Sequence, residues 1–186
     1  MRNMGYKILL ALALWMVTTE AFPKDALRTK CHLTKYKSLP HQELEAFKKA
    51  KDKFEDTLLL SDRKCNTRIF HRDWEVKELS VHDRVSLVEN ELDFTIKVLE
   101  KVEDPDLAKL LRRPLEIVKQ IREHMTGCAR PRHSHSRSKM LNDWLQNLLA
   151  SKEKETPACL EASVILNFFR LLNEDLRCAA SMELCV

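Results

Sequence analysis

The chain has 186 residues, 44% apolar and 32% charged, with a formal net charge of +4. That length holds one domain with a substantial core but not two ordinary ones, and so mild a charge excludes a dedicated nucleic-acid binder. Two glycines, Gly5 and Gly127, leave almost no material for hairpin turns, strand bulges or phosphate-cradling loops, which points to an all-helical fold.

Residues 1–21 have the three-part layout of a secretory signal peptide: Arg2 and Lys7, the apolar run ILLALALWMV from Ile8 to Val17, then small residues at Thr19 and Ala21. The run is too short to span a bilayer, so cleavage is expected after Ala21, leaving a single domain over 22–186 with no membrane insertion. Its net charge would be near +3. The six cysteines, Cys31, Cys65, Cys128, Cys159, Cys178 and Cys185, all survive cleavage. An even count in an exported chain reads as three disulfides, whose pairing spacing alone leaves open.

From 38 to 60 the apolar residues Leu44, Phe47, Phe54 and Leu58 repeat at helical spacing among Lys and Glu, which predicts an amphipathic helix. Residues 61–79 lose the period and read as a long crossover tied down by Cys65 and by aromatic side chains. Ser80 can cap a second helix to about 102, with Asp83 in its first turn and Val81, Val85, Val88, Leu92, Thr95 and Leu99 on one face. Asp104 and Pro105 start a third, carrying Leu107, Leu111, Val118, Ile121 and Met125 to a terminating Gly127 near 126. Residues 129–139 carry a basic, aperiodic stretch. A fourth helix follows over 138–152 with Leu141, Trp144, Leu145, Leu148 and Leu149, and Thr156 with Pro157 opens a last one to 179. A long crossover after the first helix suits the up-up-down-down bundle of secreted hormones and cytokines, here stapled by disulfides.

Neither a catalytic constellation nor a metal site is legible. The seven histidines never form HExxH, no GxSxG occurs, and no CxxC is present, so the chain reads as no enzyme, with no cofactor and no metal. Arg130, Arg132, Arg137 and Lys139 could meet heparan sulfate weakly, although a solvated charge run is the simpler reading. No Asn-x-Ser/Thr sequon is present.

The stretch CLEASVILNFFRLLNEDLRC, 159–178, carries two adjacent phenylalanines. At about 100° per residue from Leu160, an apolar arc from about 20° to about 160° centres near Phe168. Phe169 falls at its edge near 180°, and Leu166 near 240° among Arg170, Asn173 and Arg177. Phe169 is either the margin of a wide core stripe or a binding residue. Leu166 on the polar side favours binding, since an apolar pair ringed by Arg and Asn has hot-spot composition. A secreted carrier of an apolar ligand is the competing reading.

CHLTKYKSL, ELEAFKKAKDKFEDTLLL, WEVKELSV, ELDFTIKVLE, CLEASVILNFFRLLNEDLRC and the terminal LCV closely resemble the type III interferons, the interferon lambda family, over about 31–186. The resemblance implies a secreted, monomeric class II helical cytokine that engages the lambda-interferon receptor chain and the beta chain of the interleukin-10 receptor. Janus kinases, STAT factors and antiviral genes would follow. It implies the pairings Cys31 with Cys128, Cys65 with Cys159 and Cys178 with Cys185. It places the lambda-specific chain on the first helix, the crossover and the last helix, with Phe169, Leu166, Arg170, Asn173, Leu44, His41, Arg63 and Trp74 as candidate contacts. Trp74 could equally anchor the loop from inside. Asp143 and Trp144 are the candidates for the shared chain. Leu166 stands where the family has an aromatic, and the proline of SLPHQEL sits one residue early, so the patch differs in shape from the family pattern.

Overall fold

The computed structural model describes residues 33–59, 65, 67–128 and 136–185. The expected signal peptide, Cys31, Arg63 and most of the basic stretch lie outside them. Helix α1 (His41–Leu59) starts later than the expected 38. The reason is Pro40, which disfavours helical backbone at Leu39 and instead offers its carbonyl to the first helical amides, Glu43 and Leu44. Phe47, Ala50 and Phe54 form its buried face.

The crossover is not shapeless. It folds into two 3-10 turns, Thr67–Phe70 and Val76–Glu78, that bury Ile69, Phe70, Val76 and Leu79. Phe70 meets Phe94 edge-on at 5.5 Å, a geometry that aligns ring edge with ring face.

Helix α2 (Val81–Leu99) is capped as expected, the Asp83 amide donating to Ser80 Oγ at 3.1 Å. It is buried on more than the one expected face: Leu87, Phe94, Ile96 and Val98 are enclosed along with Val85, Val88, Leu92, Thr95 and Leu99. A helix apolar nearly all round belongs in the middle of a fold, and α2 packs against α3 (Pro105–Cys128), α4 (Lys139–Lys154) and the last helical rod.

Asp104 caps α3, its Oδ1 accepting from the Leu107 amide at 2.7 Å. Asp104→Ala should therefore cost about 1 kcal/mol, read as a melting-temperature drop of about 2–4 °C in the oxidised chain. Gly127 does not terminate α3: the helix runs on to Cys128, and no glycine among the described residues has positive φ. Tertiary packing of this end overrides the local signal: Met125 is fully buried there, and Cys128 is disulfide-bonded. Ser138 caps α4, and its amide donates to the buried Asp83 at 3.2 Å, fixing the start of α4 against α2. Leu141, Trp144, Leu145 and Leu148 face inward, whereas Leu149 is 61% exposed.

The last rod begins at Thr156, whose hydroxyl accepts from the Cys159 amide. Helix α5 (Pro157–Arg170) passes through a π-helical turn (Leu171–Leu176) into α6 (Arg177–Ser181). Two of the expected disulfides are present, Cys65–Cys159, tying the crossover to α5, and Cys178–Cys185, closing the tail. Buried Arg84 of α2 adds a polar clasp, donating to Lys77 O at 2.7 Å and Met182 O at 2.6 Å. Met182 sits at φ 53°, uncommon for a residue with a Cβ, and the clasp and the neighbouring disulfide hold it there. The result is an all-α, disulfide-stapled helical bundle.

Candidate functional site

The two phenylalanines of α5 part company. Phe168 is fully buried and meets Phe47 of α1 edge-on, ring centres 5.1 Å apart. Phe169 is half-buried, one side against the core and the other open. Leu166, also half-buried, lines a groove of about 540 Å³ with Leu58, Asp52, Glu55 and Asp56 of α1. Leu44 is half-buried against the core, and His41 is exposed at the start of α1.

Trp74, Arg170 and Asn173 line a second cleft, of about 770 Å³, between the crossover and the last rod. Asn173 is exposed. Trp74 is half-buried and serves as a loop anchor, its ring 6.3 Å from that of Trp144 in a T-shaped pair. Trp144, which the family resemblance offered as a contact for the shared receptor chain, is a correction. It is 6% exposed, and its indole N–H donates to His71 O at 3.1 Å, so it fastens the crossover from beneath. Asp143 beside it is exposed.

Arg170 turns inward rather than out. Its Nη2 donates to Glu91 Oε1 at 2.7 Å, Nη1 lies 3.0 Å from Asp175 Oδ2, and Nε donates to Asn167 Oδ1 at 2.6 Å. Arg72 of the crossover reaches the same two carboxylates, pairing with Asp175 and lying 3.4 Å from Glu91 Oε1. Burial works against the charge on Arg170, but the Glu91 and Asp175 carboxylates outweigh it and raise its pKa above the usual value. Burial pushes Glu91 up to about 8, with Asp175 adding to the rise and Arg170 and Arg72 opposing it.

Glu91, Asp175 and Arg72 were absent from the sequence reading. One signal was available: on the wheel that places Phe169 at the edge, Asp175 falls near 60°, inside the apolar arc. An acid there needs a buried partner.

The family model described as Interleukin-28A matches residues 28–182. The chain is 46% identical over 182 residues to interferon lambda-3 of Gallus gallus, covering 97% of each chain. It is 43% identical over 162 residues to interferon lambda-2 of Mus musculus, covering 84% of this chain and 82% of that one. It is 36% identical over 185 residues to interferon lambda-1 of Homo sapiens, covering 96% and 92%. With nearly full-length likeness added to the helical bundle and its disulfides, the chain belongs to the interferon lambda family, which are cytokines and not enzymes.

Proposed function

We propose that this chain, freed of residues 1–21, is secreted as an antiviral cytokine that brings together the lambda-interferon receptor chain and the beta chain of the interleukin-10 receptor. Receptor-bound Janus kinases and STAT factors then carry the signal to interferon-stimulated genes. The lambda-specific chain docks on α1, the crossover and the last rod. Leu166 and Phe169 supply the apolar centre, with Asn173, His41 and Leu44 as further contacts and Arg63, outside the described residues, as another. Trp74 and Arg170 shape that surface mainly from within, since both side chains are engaged inside the fold. The shared chain docks on α1 and α4, where Asp143 is exposed and Trp144 supports it from behind.

The observation that carries this reading is the division of labour in α5. The fold consumes Phe168 entirely and leaves one side of Phe169 open beside polar neighbours, the setting of an aromatic anchor. Surface plasmon resonance over immobilised lambda-receptor ectodomain tests it, with wild type and Phe169→Ala as oxidised chains. The variant should bind at least about thirtyfold more weakly, or about 2 kcal/mol, while keeping its helical circular dichroism. Equal affinity for both chains would remove Phe169 from the interface, and no binding by wild type to the receptor of its own species would overturn the receptor reading.

A further inference from the structure

Behind the candidate surface, four ionisable side chains from four segments meet in one box: Arg72 of the crossover, Glu91 of α2, Arg170 of α5 and Asp175 of the π turn. Both carboxylates are fully buried and the Arg72 side chain is 7% exposed. Each guanidinium reaches both carboxylates. Aromatic rings flank them, with Trp74 5.2 Å from the Arg72 guanidinium and Phe70 5.9 Å from that of Arg170.

Taking such ionisable groups out of water cancels most of their mutual attraction, so apolar residues of like volume would stabilise the core equally well. What ions add is orientation. A planar fork bridging two carboxylates fits in few relative poses, whereas apolar side chains slide. The π turn belongs to the same device, because it carries Asp175, a member of the box.

We propose that Glu91 and Asp175 are positioning residues for receptor engagement, holding Arg72 and Arg170 from behind so that the crossover and the last rod present one preset surface. This rests on the receptor reading above and adds the device that shapes its surface. The clamp responds to protons. The charged groups acting on Glu91 are Asp175 from the π turn, Arg170 from α5 and Arg72 from the crossover; Glu174 acts on Arg170, and the exposed His71 pairs with Asp73. On α2 itself, Asp93 is engaged with Lys97 and Arg122. The pKa of Glu91 stands at about 8 in the fold against 4.5 for a free side chain, so folding takes up a proton between these values. The stability this gives is fully present below the lower value and is lost as pH rises through the upper one. When Glu91 ionises at the alkaline end, its burial and the neighbouring Asp175 carboxylate outweigh its attraction to Arg170 and Arg72, and the clamp loosens.

Amide hydrogen exchange on the oxidised chain, corrected for intrinsic rates from about pH 6 to about pH 9, tests this beside receptor association kinetics. The chains are wild type, Glu91→Gln, Asp175→Asn and Arg72→Lys. Asp175→Asn and Arg72→Lys should raise exchange about tenfold in the crossover and the π turn while α3 keeps its protection. Receptor association should slow about tenfold, since fewer molecules hold the competent surface. Wild-type crossover protection should fall towards the alkaline end, and Glu91→Gln should flatten that profile. Unchanged crossover exchange in these two variants, or a rise shared equally by α3, would overturn the proposal. Should the variants not fold, the wild-type profile decides: pH-dependent crossover protection supports the clamp, and a flat profile refutes it. Exchange needs no receptor, so a wild-type chain that fails to bind condemns the receptor reading while the clamp is judged on exchange alone.

Discussion

Phe168→Ala should lose about 3–5 kcal/mol of stability in urea unfolding of the oxidised chain, several times the loss from Phe169→Ala one residue on. Phe168 is fully buried on the central stripe of α5, and its ring edge meets the face or edge of Phe47 across the α1 interface. Truncation removes the apolar transfer of a whole ring, the aromatic pairing, and the contacts of every neighbour left facing a void. Phe169 has water on one side already, so its truncation opens a dent rather than a cavity. Receptor affinity should rank the two oppositely once each is measured under conditions where it is folded. Similar stability losses would mean that Phe169 is a core residue and that the sequence reading of a wide stripe was the correct one.

Removing the Cys65–Cys159 bridge by paired serine substitution should cost about 4–5 kcal/mol, against about 2–3 kcal/mol for removing Cys178–Cys185. The bridged residues are 94 apart in the first case and 7 apart in the second, so the first restrains far more of the unfolded chain. The first also pins the crossover to α5, where otherwise the 3-10 turns and the charged box would have to hold it. Urea midpoints of the two double-serine chains give the comparison. A larger loss from the short bridge would show that native-state contacts around Met182 outweigh loop entropy.

The bundle was legible because most of its determinants are local. Ser80, Asp104 and Thr156 cap where they stand, each through a hydrogen bond to an amide three residues on, and apolar spacing marks the faces that fold inward. Gly127 shows where a local rule loses, and Trp144 where a local rule held against the family likeness. The glycine lies inside α3, where the packed end of the helix decides. The tryptophan sits at core spacing with Leu141, Leu145 and Leu148, a sign that its ring belongs inside. The charged box was out of reach for a different reason. Arg72 lies 19 residues from Glu91 and 103 from Asp175, and Glu91 lies 79 from Arg170, so apart from Asp175 on its apolar arc each reads singly as a solvated surface charge.

The π turn also limits how this protein can be imitated. Its hydrogen bonds close over five residues instead of four, so side chains beyond Leu171 are rotated away from where an ideal α-helix would put them. The turn carries Asp175, whose charge is matched by Arg170 on the same rod and by Arg72 of the crossover. A peptide copied from residues 157–181 keeps Arg170 but leaves Arg72 and Glu91 behind, and is free to wind as a plain α-helix or to fray. It would then show Phe169 and Arg177 in a relation the intact cytokine never displays. A faithful mimic has to carry the kink in helical register as well as the sequence.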